Sequence, residues 1–164
     1  KVVHRVASVL HEFGAAVLRF NFRGVRGSAG EFDHGAGELE DARAALRWME
    51  ARYPDARRCV AGFSFGSWVA ARLAASESEH ARVILVAPPV ATAAFSALKS
   101  AAVPKLVIQG TQDVVCPLAV LEGVFPGWAE PKRLIRVAGA SHFFDRQLTS
   151  LADALRHGLS AGVD

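Results

Sequence analysis

Residues 58–75 read RCVAGFSFGSWVAARLAA, in which a run typical of a strand at 58–63 passes directly into a run typical of a helix at 64–75. At the junction stands GFSFG, a G-x-S-x-G pattern centred on Ser64. A serine in a sharp strand-to-helix turn has its hydroxyl lifted above the end of the sheet. The first N–H groups of the following helix also point toward whatever lies over that hydroxyl. The pattern therefore indicates a nucleophilic serine, and a serine that only caps the helix is the alternative.

The same alternation of strand and helix continues on both sides of this stretch. Short β-rich apolar runs predict further strands at residues 15–22, 82–87, 105–109 and 133–137. Apolar residues at helical spacing predict further helices at residues 1–13, 38–53, 118–125 and 144–159. This order is typical of an α/β fold, in which a mostly parallel sheet carries helices on both faces. Residues 1–164 are interpreted as a single domain.

Composition and charge exclude several classes of protein. Hydrophobic residues make up 51% of the chain, charged residues make up 21%, and the net charge is +3 without a long basic run. Such a chain is globular, and it is expected to have no nucleic-acid or membrane partner. Cys59 and Cys116 form neither a C-x-x-C pair nor a disulfide framework, which favours a cytoplasmic location. No metal or other cofactor is expected.

Two more polar residues follow predicted strands and complete a candidate catalytic group. His142 comes after the strand at 133–137, and Asp113 comes after the strand at 105–109. Since the carboxyl ends of parallel strands meet at one edge, both are expected beside Ser64. A neutral imidazole can take the serine proton, and a carboxylate can orient that imidazole. A surface or capping histidine and a turn-capping aspartate are the alternatives, and Asp145 is the rival acid.

A glycine-rich loop at residues 23–37 follows the predicted strand at 15–22. It lacks the G-K-[ST] and G-x-G-x-x-G patterns of phosphate-binding loops. Its position favours an overhang of the active-site edge, so its polar residues are candidate pocket residues: Arg23, Arg26, Asp33 and His34. A solvated turn held by hydrogen bonds of the Asp33 side chain is an equally good interpretation.

Residues 21–41 read NFRGVRGSAGEFDHGAGELED, and residues 139–143 read GASHF. With GFSFG, these stretches resemble the α/β-hydrolase superfamily, in particular a group of small bacterial serine hydrolases, and the resemblance extends from about Lys1 to the end of the chain. It departs at Arg26, where the group usually has glycine, and at Cys116, where an acidic residue is common.

The resemblance implies an oxyanion hole that uses the backbone N–H of Phe65 and a second N–H from the loop before the first helix. That loop would precede Lys1, and the chain does not begin with Met. We therefore expect the chain to lack the N-terminal strands of the fold and the oxyanion loop. A missing strand would lie between residues 17–22 and 60–63, leaving a slot of roughly 9–10 Å with no direct ladder between them.

The function expected from these features is hydrolysis of an ester, thioester or other small acyl substrate through an acyl-serine intermediate. Residues 88–104 are too few to form a lid domain, which favours small, soluble substrates. A peptidase or amide hydrolase and a catalytically inactive binding module on the same fold are the alternatives. The pattern does not predict an oligomeric state.

Overall fold

A four-stranded parallel sheet in the order β1-β2-β3-β4 forms the centre of the molecule. The computed structural model describes residues 1–77 and 80–161, with only the backbone of residues 80 and 81. The strands are β1 (Arg58–Phe63), β2 (His80–Val86), β3 (Lys105–Gly110) and β4 (Lys132–Val137). The predicted strands at 58–63, 82–87, 105–109 and 133–137 are therefore confirmed to within two residues at each end.

Five α-helices surround the sheet in the part of the chain that the structure describes. They are α1 (Val2–Glu12), α2 (Ala36–Arg52), α3 (Phe65–Ser76), α4 (Leu118–Val124) and α5 (Leu148–Ser160). Two short 3₁₀ turns, Ser96–Lys99 and Phe125–Gly127, lie in the connections. Across residues 1–77 and 80–161, no helix has both the length and the apolar character needed to cross a membrane.

Alternate side chains of the central strands point to opposite faces, so the sheet has a hydrophobic layer on each side. Ile84 and Val86 of β2 pack in the layer that contains α1 and α5. Val83 and Leu85 pack in the opposite layer with α3, α4 and the first 3₁₀ turn. Strands buried on both faces are almost continuously apolar, because neither face meets water. This layering confirms the predicted α/β class.

The predicted strand at 15–22 is wrong as a secondary-structure assignment. These residues form no strand, and no ladder hydrogen bond joins residues 17–22 to β1. The sequence has strand propensity, but a strand exists only when its backbone groups pair with a neighbour. The missing ladder agrees with the expectation that these segments are not adjacent in the sheet. The intervening strand itself stays a prediction.

The last helix also begins later than its apolar spacing predicted. Phe144 is fully buried in the layer of α1 and α5, but it precedes the helix, which starts at Leu148. Its φ of 52° lies in the left-handed region, and its N–H donates to the Ser141 carbonyl. A tight turn thus buries Phe144 in the same layer as the apolar face of α5, so its spacing in the sequence fits a helix although it lies outside one.

Candidate active site

Ser64 occupies the turn between β1 and α3 and has φ 52° and ψ −123°. A non-glycine residue at positive φ is strained, at a cost on the order of 1–3 kcal/mol. The strain is held in place by close packing, since a Cβ on Gly62 would lie 2.0 Å from the Gly66 carbonyl oxygen. The Ser64 N–H also donates to the Val86 carbonyl at 2.9 Å, which fastens the turn to the end of β2.

The structure brings His142 and Asp113 to this serine. His142 Nε2 lies 3.0 Å from Ser64 Oγ, and His142 Nδ1 lies 2.8 Å from Asp113 Oδ2. Both distances are within hydrogen-bond range, as a serine, base and acid arrangement needs. His142 is 6% exposed and Asp113 is 4% exposed, so the contacts are largely shielded from water. Each of the three residues follows the carboxyl end of a different strand: β1, β3 and β4.

Asp113 is held by a dense set of donors. Its Oδ1 accepts the backbone N–H groups of Val115 at 2.9 Å and Cys116 at 2.7 Å. Its Oδ2 accepts the Gln109 side-chain amide at 3.0 Å in addition to the His142 ring. Four hydrogen bonds fix the plane of the carboxylate and leave Oδ2 directed at the imidazole. Sequence reasoning missed Gln109, although a polar residue in the otherwise apolar run KLVIQ was a usable signal.

The loops that carry the acid and the base are joined to each other. A Cβ on Gly110 would lie 2.3 Å from the Ala140 carbonyl oxygen, so only glycine permits this approach. The Gln112 N–H donates to that same carbonyl at 3.0 Å. The Gly139 N–H donates to the Thr111 hydroxyl at 2.8 Å. These contacts set the distance between Asp113 and His142 through the backbone rather than through flexible side chains.

The Phe65 backbone N–H lies at the first position of α3, directly after Ser64. It forms no hydrogen bond to any described residue. A free N–H at a helix N-terminus can stabilise an oxyanion that forms over the neighbouring serine. This arrangement is compatible with the oxyanion role expected for Phe65, and that role stays a prediction. The second donor expected from the resemblance likewise stays a prediction.

Aromatic rings flank the histidine. The Phe63 and Phe143 ring centroids both lie 5.0 Å from that of His142. They also line an open cleft of about 390 Å³ whose other walls are Lys1, Val2, Val3 and Asp145. Asp145, the rival acid, is exposed, whereas His142 Nδ1 bonds to Asp113. The geometry thus pairs the base with Asp113.

The candidate pocket residues Arg23 and Asp33 have structural contacts that favour the second interpretation of the glycine-rich loop. The Arg23 guanidinium pairs with Asp41 of α2, with Nη2 2.8 Å from Oδ1. Asp33 Oδ2 accepts the Gly37 N–H at 2.9 Å in the first turn of α2. Both residues therefore fasten the loop to α2. Neither has a hydrogen bond or an ion pair with Ser64 among the described residues.

His34 and Arg26 differ from these two residues. The His34 ring packs edge-on against Phe32, whose ring centroid lies 5.6 Å from that of Phe65. The Phe32 ring therefore lies between His34 and Phe65, the residue after Ser64. The pocket role of His34 stays a prediction. Arg26 has φ 53°, the conformation that glycine adopts most easily. The loop thus keeps a glycine-type turn at the position where the resemblance departs.

Asp113, Cys116 and His142 offer potential metal ligands within 4.8 Å of one another. The aspartate and histidine atoms face each other as hydrogen-bond partners, at 2.8 Å. Burial raises the pKa of the Cys116 thiol to about 12, and the charge of Asp113 adds to this effect. Metals bind the thiolate, so a protonated thiol is a poor ligand. The cluster fits a hydrogen-bonded catalytic group better than a metal site.

Comparisons with known proteins agree with the α/β fold. Residues 1–101 match the family model described as serine aminopeptidase, S33. An α/β serine hydrolase homologue from Coxiella burnetii is 40% identical with a TM-score of 0.91, covering 95% of this chain and 74% of that one. XC6422 from Xanthomonas campestris, an α/β serine hydrolase without lid, is also 40% identical with a TM-score of 0.91, covering 98% and 72%.

The chain is therefore an α/β hydrolase of the serine hydrolase class. Within that class it belongs to the family described as serine aminopeptidase, S33. It is also 34% identical to the uncharacterized protein RP471 of Rickettsia prowazekii, covering 94% of this chain and 69% of that protein. It spans 63% of the length of the related Mycobacterium tuberculosis proteins.

Proposed function

We propose that this chain is the catalytic part of a serine esterase that hydrolyses small acyl substrates through an acyl-Ser64 intermediate. The observation that carries the proposal is the continuous hydrogen-bonded series from Ser64 Oγ through the His142 ring to Asp113 Oδ2, at 3.0 and 2.8 Å. A strained serine at positive φ in the same series supports it, because strain at a turn is typical of functional sites.

The hydrogen bonds from Ser64 to His142 and from His142 to Asp113 define how protons would move during the reaction. Ser64 Oγ attacks the carbonyl carbon of the substrate while His142 Nε2 takes the hydroxyl proton. The Nδ1–H of the resulting imidazolium stays hydrogen-bonded to Asp113. When the tetrahedral intermediate collapses, Nε2–H gives its proton to the leaving alcohol or thiol. A water molecule then repeats both steps on the acyl-serine and releases the acid. The Phe65 N–H would stabilise the oxyanion in each half-reaction.

The connection between β2 and β3 supports a small substrate. Residues 87–104 contain only the 3₁₀ turn Ser96–Lys99, and Phe95 and Leu98 of this segment are buried in the core. The segment therefore packs against the body of the protein instead of covering the site. An uncovered site offers little apolar area to a long lipid chain, which favours short, soluble acyl groups.

Covalent labelling tests the nucleophile. The intact protein should react with a fluorophosphonate at Ser64, and the Ser64→Ala variant should not react. Ser150→Ala, at an exposed position of α5, is the matched control and should label like the parent. Mass mapping of the modified peptide identifies the residue. A label on another residue, or an unlabelled parent protein, would contradict the proposal, and the second outcome would favour an inactive binding module.

Amide hydrolysis is the second candidate function, because the matching family model is described as a serine aminopeptidase. Parallel assays with p-nitrophenyl esters of two to twelve carbons and with aminoacyl p-nitroanilides separate the two. We expect the highest kcat/KM for the shortest esters. A higher kcat/KM for an aminoacyl anilide would assign the protein to the peptidases instead. Both activities should disappear in Ser64→Ala, since one nucleophile would serve both reactions.

A further inference from the structure

Gln109 is a fully buried polar residue at the end of β3 that the acyl-transfer mechanism above does not use. Its Nε2 lies 3.0 Å from Asp113 Oδ2 and 2.6 Å from the Cys116 carbonyl oxygen. Both partners can only accept hydrogen bonds, so the amide nitrogen, and not the amide oxygen, must face them. The orientation of the side chain is therefore determined by its neighbours.

This orientation leaves the other end of the amide unsatisfied. Gln109 Oε1 is buried and has no hydrogen-bond partner among the described residues. A buried acceptor without a partner is unfavourable, and an apolar side chain of the same shape would avoid it. Packing alone thus gives no reason for glutamine at this position, whereas the two donated hydrogen bonds do.

The two hydrogen bonds act on the part of Asp113 that faces the base. Asp113 Oδ2 accepts both Gln109 Nε2–H and His142 Nδ1–H. The Cys116 carbonyl, which takes the second amide proton, belongs to the residue whose N–H holds Asp113 Oδ1. The amide therefore bridges the carboxylate and the backbone turn around it. Without this bridge, Oδ2 would keep the histidine as its single side-chain partner, and this end of the carboxylate would be held less firmly.

We propose that Gln109 is a positioning residue of the catalytic group: it holds Asp113 Oδ2 on the line to His142 Nδ1 by donating from its side-chain amide. The inference rests on the proposed esterase function. Gln109 is fully buried and its hydrogen bonds go to Asp113 and Cys116, so it acts on the orientation of the acid and, through the acid, on the base. Its removal should lower the rate of the chemical step and leave substrate binding unchanged.

Two variants of the intact protein test this role. Gln109→Met keeps the shape and removes both donors, and Gln109→Glu keeps the shape and replaces the donors with acceptors. We expect kcat per titrated active site to fall about 10- to 100-fold in Gln109→Met, by analogy with residues that orient a metal ligand through a hydrogen bond, with KM unchanged. Gln109→Glu should lose more, because its carboxylate would face Asp113 Oδ2. Gln147→Met, the same change at the half-buried residue before α5, should match the parent.

Active-site titration with fluorophosphonate separates the possible outcomes. The Gln109 variants should label to full stoichiometry at Ser64 but at a rate lowered as much as kcat. A parent protein that labels, with Gln109→Met equally fast per folded molecule, would overturn the positioning role and leave the esterase proposal intact. A lower thermal midpoint with unchanged kcat per titrated site would likewise reduce Gln109 to a structural residue. A parent protein that does not label would instead refute the esterase proposal.

Discussion

Replacing Asp113 with asparagine is the change whose effect the structure defines most closely. Asp113 Oδ1 accepts two backbone N–H groups, at 2.9 and 2.7 Å. The carboxamide oxygen of Asn must take this position, because its NH₂ group there would face two donors. The NH₂ group is therefore forced into the place of Oδ2, where it meets His142 Nδ1.

This exchange reverses the hydrogen bond to the base. A donor opposite Nδ1 selects the tautomer in which Nδ1 accepts and Nε2 carries the proton. Nε2 then has no lone pair for the Ser64 proton, although the ring stays in place. The same substitution in a serine protease lowers kcat by about 10⁴, which corresponds to roughly 5.5 kcal/mol of barrier. We expect a loss of this order. Stability should also fall, because the new NH₂ group would face the Gln109 amide, which is itself a donor.

Ester hydrolysis by the intact protein, measured as kcat per folded molecule, is the appropriate assay. Asp153→Asn, the same chemical change at an exposed position of α5, is the control and should retain the parental kcat. An Asp113→Asn variant within tenfold of the parent would refute the argument. In that event a large loss in Asp145→Asn would transfer the orienting role to the rival acid.

Three further changes have defined outcomes. Gly62→Ala places a Cβ 2.0 Å from the Gly66 carbonyl oxygen, so the start of α3 must shift. The reaction of Ser64 with a fluorophosphonate should then slow about 100-fold, and a parental rate would contradict this. Arg26→Gly relieves a left-handed residue and should raise the free energy of unfolding in urea by about 0.5–1 kcal/mol; a decrease would show that the arginine side chain contributes more than the strain costs. The hydrogen bond from Arg23 holds the pKa of Asp41 below its usual range, against the opposing effect of partial burial. This contribution is present above pH about 4 and is lost as the pH falls through the folded-state pKa, so Asp41→Asn should flatten the acid limb of the stability curve; an unchanged limb would refute it.

Elements with strong local signals were predictable from the sequence. The parallel strands β1 to β4 are short apolar runs, because a strand that is buried on both faces must be almost continuously apolar. Parallel topology then placed Ser64, Asp113 and His142 at one edge, because each follows the carboxyl end of a strand. The distances of 3.0 and 2.8 Å could not be read in this way, because they depend on contacts between loops, such as that of Gly110 with Ala140.

The sequence was less informative where a residue has two compatible environments. Residues 15–22 have strand propensity, but ladder pairing depends on a neighbour that propensity does not describe. Phe144 satisfies helical spacing and yet lies in a turn. Its apolar side chain reflects burial, which a turn and a helix can both provide. Arg23 and Asp33 are polar residues of a glycine-rich loop, a pattern shared by pockets and by fastened turns. The ion pair of Arg23 with Asp41 depends on tertiary packing, and the hydrogen bond from Gly37 to Asp33 depends on the conformation of the loop.

Strand β2 contributes none of the three catalytic side chains, yet it joins the strand of Ser64 to the strands of Asp113 and His142. The alignment of Ser64 with Asp113 is thus the sum of two registers, Phe63 opposite Val86 and Val86 opposite Ile108. One residue of slip in either register displaces a catalytic group by about 3.3 Å, several times the tolerance of a hydrogen bond. Strand β2 therefore sets the spacing of the catalytic groups although it carries none of them. A substitution far from Ser64 that shifts its register would abolish catalysis.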